Sequence, residues 1–239
     1  MDFSFLYSTR IENTYDDDQT RILACFRELL KQGKTRVSLI NYYKGLPISY
    51  PATIAVVDRD VLDLDIHPQQ AVAINKDRYA FIRCPAFSHV VGAHVHYVNV
   101  RKQAATLKGF FFAELMAERR NAIRLELDPP TEAVFELQGE SLQGRLVDLS
   151  MSGAAVRFEQ PPSFEDGFET MLQFMLPNII QNTLAKVKAP ARHLGTTELD
   201  GAYLLKFSIA PDKALEQQIS HYIFQRQVEI IRELKEMSA

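Results

Sequence analysis

The chain has 239 residues, 46% of them hydrophobic and 24% charged, with 27 Lys+Arg against 30 Asp+Glu for a formal net charge of −3. That length accommodates one large or two small domains, each able to bury its own core without disulfides or a structural metal. A mildly acidic chain without a basic block is ill suited to nonspecific binding of DNA, RNA or an anionic membrane, so any anion it binds must meet a local cluster of cations.

The N-terminus has no basic segment followed by a long apolar run, and no stretch approaches the roughly 18 apolar residues of a membrane span, so a cytoplasmic protein without stable membrane insertion is expected. Cys25 and Cys84 belong to no CxxC pair or zinc-spaced array and read as packing thiols. After a short aromatic lead, Asp16, Asp17 and Asp18 precede Ile22, Leu23, Phe26, Leu29 and Leu30 at helical spacing, which predicts a helix capped by Asp18 and ended at Gly33. The period then changes to short runs rich in Val, Ile and Tyr: Thr35 to Asn41, Ala52 to Asp58, Val61 to Ile66, Ala71 to Asn75, Tyr79 to Cys84, Val91 to Val100 and Thr106 to Glu114. These read as strands of an antiparallel barrel or sandwich.

Charges crowd the stretch from Leu115 to Thr131, and Pro129-Pro130 forces extended backbone there, so residues 115–131 read as a linker between an N-terminal domain (1–114) and a second barrel (132–210). The second barrel's expected strands are Ala133 to Gln138, Leu142 to Val147, Ala154 to Phe158, Phe168 to Leu176, Leu184 to His193 and Ala202 to Ile209, with Gly139-Glu140 as a tight hairpin turn. Residues 211–239 form one long amphipathic helix that starts at Pro211-Asp212 and carries Leu215, Ile219, Tyr222, Ile223, Ile230 and Leu234. Phe224, Val228 and Ile231 widen its apolar stripe, which suits either packing on its own barrel or a homodimer through this helix.

Two motifs carry chemistry. Arg119, Arg120 and Arg124 place three guanidinium groups in one short segment, and Asp148, Ser150 and Gly153 follow at the end of the barrel's second strand. An arginine fork bonds phosphate oxygens or the O6 and N7 of guanine, and it stacks on the base. A carboxylate accepts from the guanine N1–H and N2–H edge, a serine bonds phosphate or base, and a glycine permits close backbone approach. The pattern describes a guanine-nucleotide site.

Arg120-x-x-x-Arg124 followed by Asp148-x-Ser150-x-x-Gly153 on six short strands resembles the PilZ domain, whose RxxxR and D/NxSxxG motifs bind cyclic di-GMP. The resemblance covers roughly Glu118 to Ile209 and extends into the last helix through residues 222–227. It implies that Arg120 and Arg124 grip guanines and phosphates, that Arg119 adds a contact, and that Asp148, Ser150 and Gly153 line the barrel side of the pocket. Asn121 and Ala122 depart from the commonest pattern, which has a further arginine and an aromatic residue there, and Leu204-Leu205-Lys206-Phe207 lacks the glycine often found before the final aromatic.

The layout resembles the two-domain flagellar-brake (YcgR-like) group. It implies a mainly β fold of two antiparallel barrels in tandem, the first split-barrel-like and the second a six-stranded PilZ barrel, with an N-terminal helix and a long C-terminal helix. The implied function is a noncatalytic cyclic di-GMP receptor, without a cofactor, that changes its interdomain arrangement and signals to a protein partner such as the flagellar motor, controlling motility or surface attachment. A second reading is a degenerate PilZ scaffold that binds protein and no nucleotide. A third, a flavin-binding split barrel, has no motif behind it.

Other candidates are weaker. His94 and His96 share a strand face, and with His89 they suggest a metal, but no further ligand completes a set. Asp58, Asp60, Asp63 and Asp65 lack the glycine and terminal glutamate of a calcium loop. No catalytic residue is expected.

Overall fold

The computed structural model describes residues 6–120, 122–160, 167–199 and 201–238. The chain divides into two compact units, one formed by 6–120 with 230–238, the other by 122–229.

In the first unit the element order is β1 (Tyr7–Arg10), α1 (Tyr15–Lys31), β2 (Arg36–Tyr43), β3 (Leu46–Asp58), β4 (Val61–Ile66), α2 (Pro68–Asp77), β5 (Tyr79–Arg83), β6 (Val90–Asn99) and β7 (Ala104–Leu115), then a single 3₁₀ turn, Met116–Arg119. The strands form a sheet in the order β1-β7-β4-β3-β2-β5-β6, and β6 also pairs with β7, so the sheet returns on itself. Alternation places Leu62, Leu64 and Ile66 of β4 inside, where Ile22 and Phe26 of α1 meet them. The side chain of Glu233, near the chain's end, accepts from Tyr43 Oη at 3.0 Å and Lys44 Nζ at 2.7 Å.

Two expectations for this unit are corrected. The cap of α1 is Thr14, whose Oγ1 accepts from the Asp17 N–H at 3.2 Å. Asp18 instead is buried and accepts from the Glu12 N–H at 2.8 Å, fixing the chain that enters the helix. Thr14→Ala should therefore cost about 1 kcal/mol, seen as a lowered melting temperature. The run Ala71 to Asn75 is helical: His67 caps α2, Pro68 fits its first turn, Arg78 ends it in the left-handed region, and residues from Gln69 to Ile74 are buried. A short apolar run does not distinguish a strand from a buried helix, and here the capping residues on either side decide.

The second unit is a closed antiparallel barrel of β8 (Leu125–Leu137), β9 (Glu140–Ser150), β10 (Gly153–Phe158), β11 (Glu169–Asn178), β12 (Thr183–Leu199) and β13 (Ala202–Ile209), in the order β10-β13-β12-β11-β8-β9. Closure gives every strand of the barrel a neighbour on both sides. The first part of α3 (Lys213–Met237) packs Leu215, Ile219 and Tyr222 into the core around Phe135, Phe174 and Phe207. The Leu215 N–H donates to Asp212 Oδ1 at 2.8 Å, so Asp212 caps the helix and Pro211 precedes it rather than lying in its first turn.

The first strand starts at Leu125, where the sequence pattern suggests Ala133. Its ladder to β9 runs Leu125↔Leu149 and Glu126↔Asp148, then jumps to Thr131↔Leu146. Pro129 and Pro130, which have no N–H to donate, thus sit in a bulge rather than a ladder position. The hairpin turn lies at Gln138-Gly139, with φ of 52° and 85°, so it falls one residue before the expected Gly139-Glu140.

Candidate functional site

Strand pairing assembles one end of the second unit. The rungs Leu125↔Leu149 and Glu126↔Asp148 put Arg124, immediately before β8, beside the end of β9. Its Nε forms an ion pair with Asp148 Oδ1 at 3.6 Å, the two side chains being 27% and 19% exposed. β9 turns into β10 through Met151-Ser152, with Ser150 opposite Gly153. The Ser150 hydroxyl, buried, donates to the Gly153 carbonyl at 3.2 Å. A Cβ added at Gly153 would lie 3.2 Å from Arg124 Nη2, 3.2 Å from the Phe207 carbonyl oxygen and 3.4 Å from Ser150 Oγ. A side chain there would be crowded by a few tenths of an ångström, against the Arg124 guanidinium and the Phe207 carbonyl alike.

Arg124, Asp148, Ser150 and Gly153 are therefore brought together within one unit. The arrangement offers an anchored cation, a carboxylate acceptor, a hydroxyl and a bare backbone surface, the set that a purine edge with an attached phosphate requires.

Arg119 and Arg120 belong to the other unit. Arg119 closes the 3₁₀ turn and donates to the Glu114 carboxylate, while Glu118 on the same turn pairs with Arg83 at 2.6 Å. Burial, followed by the nearby Glu118 carboxylate, pushes the Tyr42 hydroxyl up to about 12, and Arg83 and Arg120 counter this in part. Asn121, one of the departures from the commonest pattern, lies outside the described residues.

Residues 118–225 match the PilZ domain family. The chain carries a PilZ domain. No curated protein matches it. Among solved structures it is similar to YcgR from Escherichia coli in complex with c-di-GMP, at 15% identity over 99% of each chain with a TM-score of 0.46. It is also similar to the Bacillus subtilis inhibitor of motility MotI/DgrA, at 12% identity over 82% of this chain and 97% of that one, TM-score 0.43. A third similarity is to MrkH from K. pneumonia in complex with c-di-GMP, at 13% identity over 95% of this chain and 99% of that one, TM-score 0.46.

Among the described residues no group of three His, Cys, Asp or Glu is placed to hold a metal ion, and no helix is long and apolar enough to cross a membrane. His94 and His96 lie exposed on β6 of the other unit. The PilZ unit also contains a buried arginine that the sequence reading passes over. Arg226, 3% exposed, occupies a stripe position between Tyr222 and Ile230, both buried. A cation on the apolar stripe of an amphipathic helix is itself the sequence signal, because a buried charge demands partners.

Proposed function

We propose that this protein is a noncatalytic receptor for cyclic di-GMP, with Arg119, Arg120, Arg124, Asp148, Ser150 and Gly153 as its ligand residues. The observation that carries the reading is the convergence of Arg124, Asp148, Ser150 and Gly153 at one end of the barrel, inside the segment that matches the PilZ family. Arg124 grips guanine and phosphate oxygens, Asp148 accepts from the guanine N1–H and N2–H edge, and Ser150 and Gly153 line the barrel side of the pocket.

The mechanism follows from the order of the arginines along the chain. Residues 118–124 connect the two units in sequence, so a ligand held by Arg119 and Arg120 as well as by Arg124 limits the angles the units can adopt. That is a population shift, bounded by the difference in affinity between the arrangements. In this reading the ligand-selected arrangement is what a protein partner recognises, and the output is control of motility or surface attachment, as in the flagellar-brake (YcgR-like) type. The Glu114 carboxylate that holds Arg119 must give way when the ligand takes this side chain.

Calorimetric titration of the full chain with cyclic di-GMP should give saturable heat with a dissociation constant in the micromolar range or below, about 8 kcal/mol of binding free energy. No heat at high micromolar ligand rejects the receptor reading. Small-angle scattering should change on saturation, and an unchanged profile rejects the hinge while leaving binding intact. Gly153→Ala should weaken binding about tenfold, or about 1.4 kcal/mol. The new methyl crowds the Phe207 carbonyl and the end of the Arg124 side chain by a few tenths of an ångström each, and the flexible guanidinium gives way more cheaply than the backbone.

The second reading, a PilZ scaffold that binds protein through its last helix and no nucleotide, is favoured by the exposed Phe224 and Val228. A melting temperature that does not respond to cyclic di-GMP would select it, since a ligand of the folded state stabilises by mass action.

A further inference from the structure

We propose that Arg226 of the C-terminal helix is a positioning residue for the nucleotide site, coupling that helix to the Arg124–Asp148 end of the barrel. This inference rests on the receptor reading above.

The observation is a gap in the sheet. On one side, the start of β8 pairs with β9 through Leu125 and Glu126, and the next paired residue is Thr131. On its other side the ladder of β8 with β11 is confined to Ala133 and Val134, flanked by side-chain bonds from Thr131 to the Met175 carbonyl and from Thr170 to the Glu136 carbonyl. The Glu126 carbonyl therefore has no strand partner from β11. Arg226 takes that place, its Nε donating to Glu126 O at 3.1 Å. Its Nη1 donates to the Glu229 carboxylate one helical turn along, which fixes the guanidinium. The neighbouring Gln225, 5% exposed, accepts from the Ile179 N–H at 2.9 Å just beyond the end of β11. Consecutive residues of α3 thus tie down the two strands that border the gap.

Further along, Arg145 Nη2 donates to the Pro130 carbonyl at 2.8 Å and Leu127 is buried in the core. Residues 127–130 leave the ladder, and a cavity of about 660 Å³ lies alongside, lined by Leu127, Pro130, Asn178, Tyr222 and Arg226 among others. Glu126 is the rung partner of Asp148 and lies two positions after Arg124. A displacement of the Glu126 backbone moves both halves of the ion pair that the ligand must engage. Coupling of this kind is reciprocal: if docking of Arg226 favours the ligand-ready backbone, bound ligand must favour docking of Arg226.

The test uses the full chain and cyclic di-GMP. In the unsubstituted protein, saturating ligand should slow amide hydrogen exchange in α3 across residues 222–229. Arg226→Gln should weaken binding about tenfold and abolish that protection at saturation, while Arg226→Lys, which keeps a donor of similar reach, should restore most of both. A merely structural arginine would change the melting temperature without altering ligand-dependent protection of the helix. Unchanged exchange in α3 on saturation overturns the inference, as does nucleotide affinity in Arg226→Gln equal to that of the unsubstituted protein. Should Arg226→Gln fail to fold, the exchange result on the unsubstituted protein decides alone. Absence of any binding by the unsubstituted protein overturns the receptor reading first and this inference with it, so the two failures are distinguishable.

Discussion

Replacing Arg124 by alanine should lower the affinity of the full chain for cyclic di-GMP by about 100-fold or more in a calorimetric titration. A charge-assisted hydrogen bond contributes about 1.5 to 3 kcal/mol, and a bidentate arginine–guanine contact about 1 to 3 kcal/mol of discrimination. Losing one of each removes about 2.5 to 6 kcal/mol, and each 1.4 kcal/mol is tenfold. Asp148→Ala should act through the same geometry, because it removes an acceptor for guanine and also the carboxylate that holds Arg124 at 3.6 Å. The double variant should lose less than the sum of the two, since partners in one ion pair are not additive. Stability should also fall, by about 1 to 3 kcal/mol, because the paired atoms Arg124 Nε and Asp148 Oδ1 are buried although their side chains are 27% and 19% exposed. Affinity in both single variants equal to that of the unsubstituted protein would remove these residues from the site.

Phe135→Ala should destabilise the PilZ unit by about 3 to 5 kcal/mol, as large-to-small changes at buried aromatic positions do. Phe135 is fully buried on β8 and its ring meets Phe158 at 5.8 Å, Phe168 at 5.5 Å and Phe207 at 5.4 Å between centroids. Its removal leaves a cavity at the centre of the cluster and breaks three ring pairs at once. For a unit of this size the melting temperature should fall by more than about 10 °C. The core of the other unit, around Ile22, Phe26 and Phe110, shares no residue with this cluster, so its own unfolding transition should stay in place. Loss of both transitions together would show that the two units unfold as one.

Most strands, α1 and α3 could be read from the sequence because each satisfies a local rule: alternation for half-buried strands, three- and four-residue apolar steps for helices, and turn residues between them. Reading failed where two local rules competed. Ala71 to Asn75 is apolar enough for a strand, and His67, Pro68 and Arg78 around it make it a helix. Asp18 looks like a cap, and burial against the chain entering α1 gives it another role while Thr14 caps. Pro129-Pro130 looks like the end of a linker, and a bulge lets β8 pass through them and begin at Leu125.

The two arginine- and aspartate-bearing motifs, their order and the barrel that carries them are legible in the order of residues alone, because motif spacing and strand period are properties of the chain. Which of those residues meet is a matter of three-dimensional packing. Cross-strand register puts Arg124 against Asp148 and over Gly153, while Arg119 is held by Glu114 within the other unit. Register and ion-pair choice depend on groups distant in sequence, and so does the role of Arg226, a hundred positions after the carbonyl it holds. A local pattern shows that a side chain must find a partner; which partner it finds is set by the packing of the whole unit.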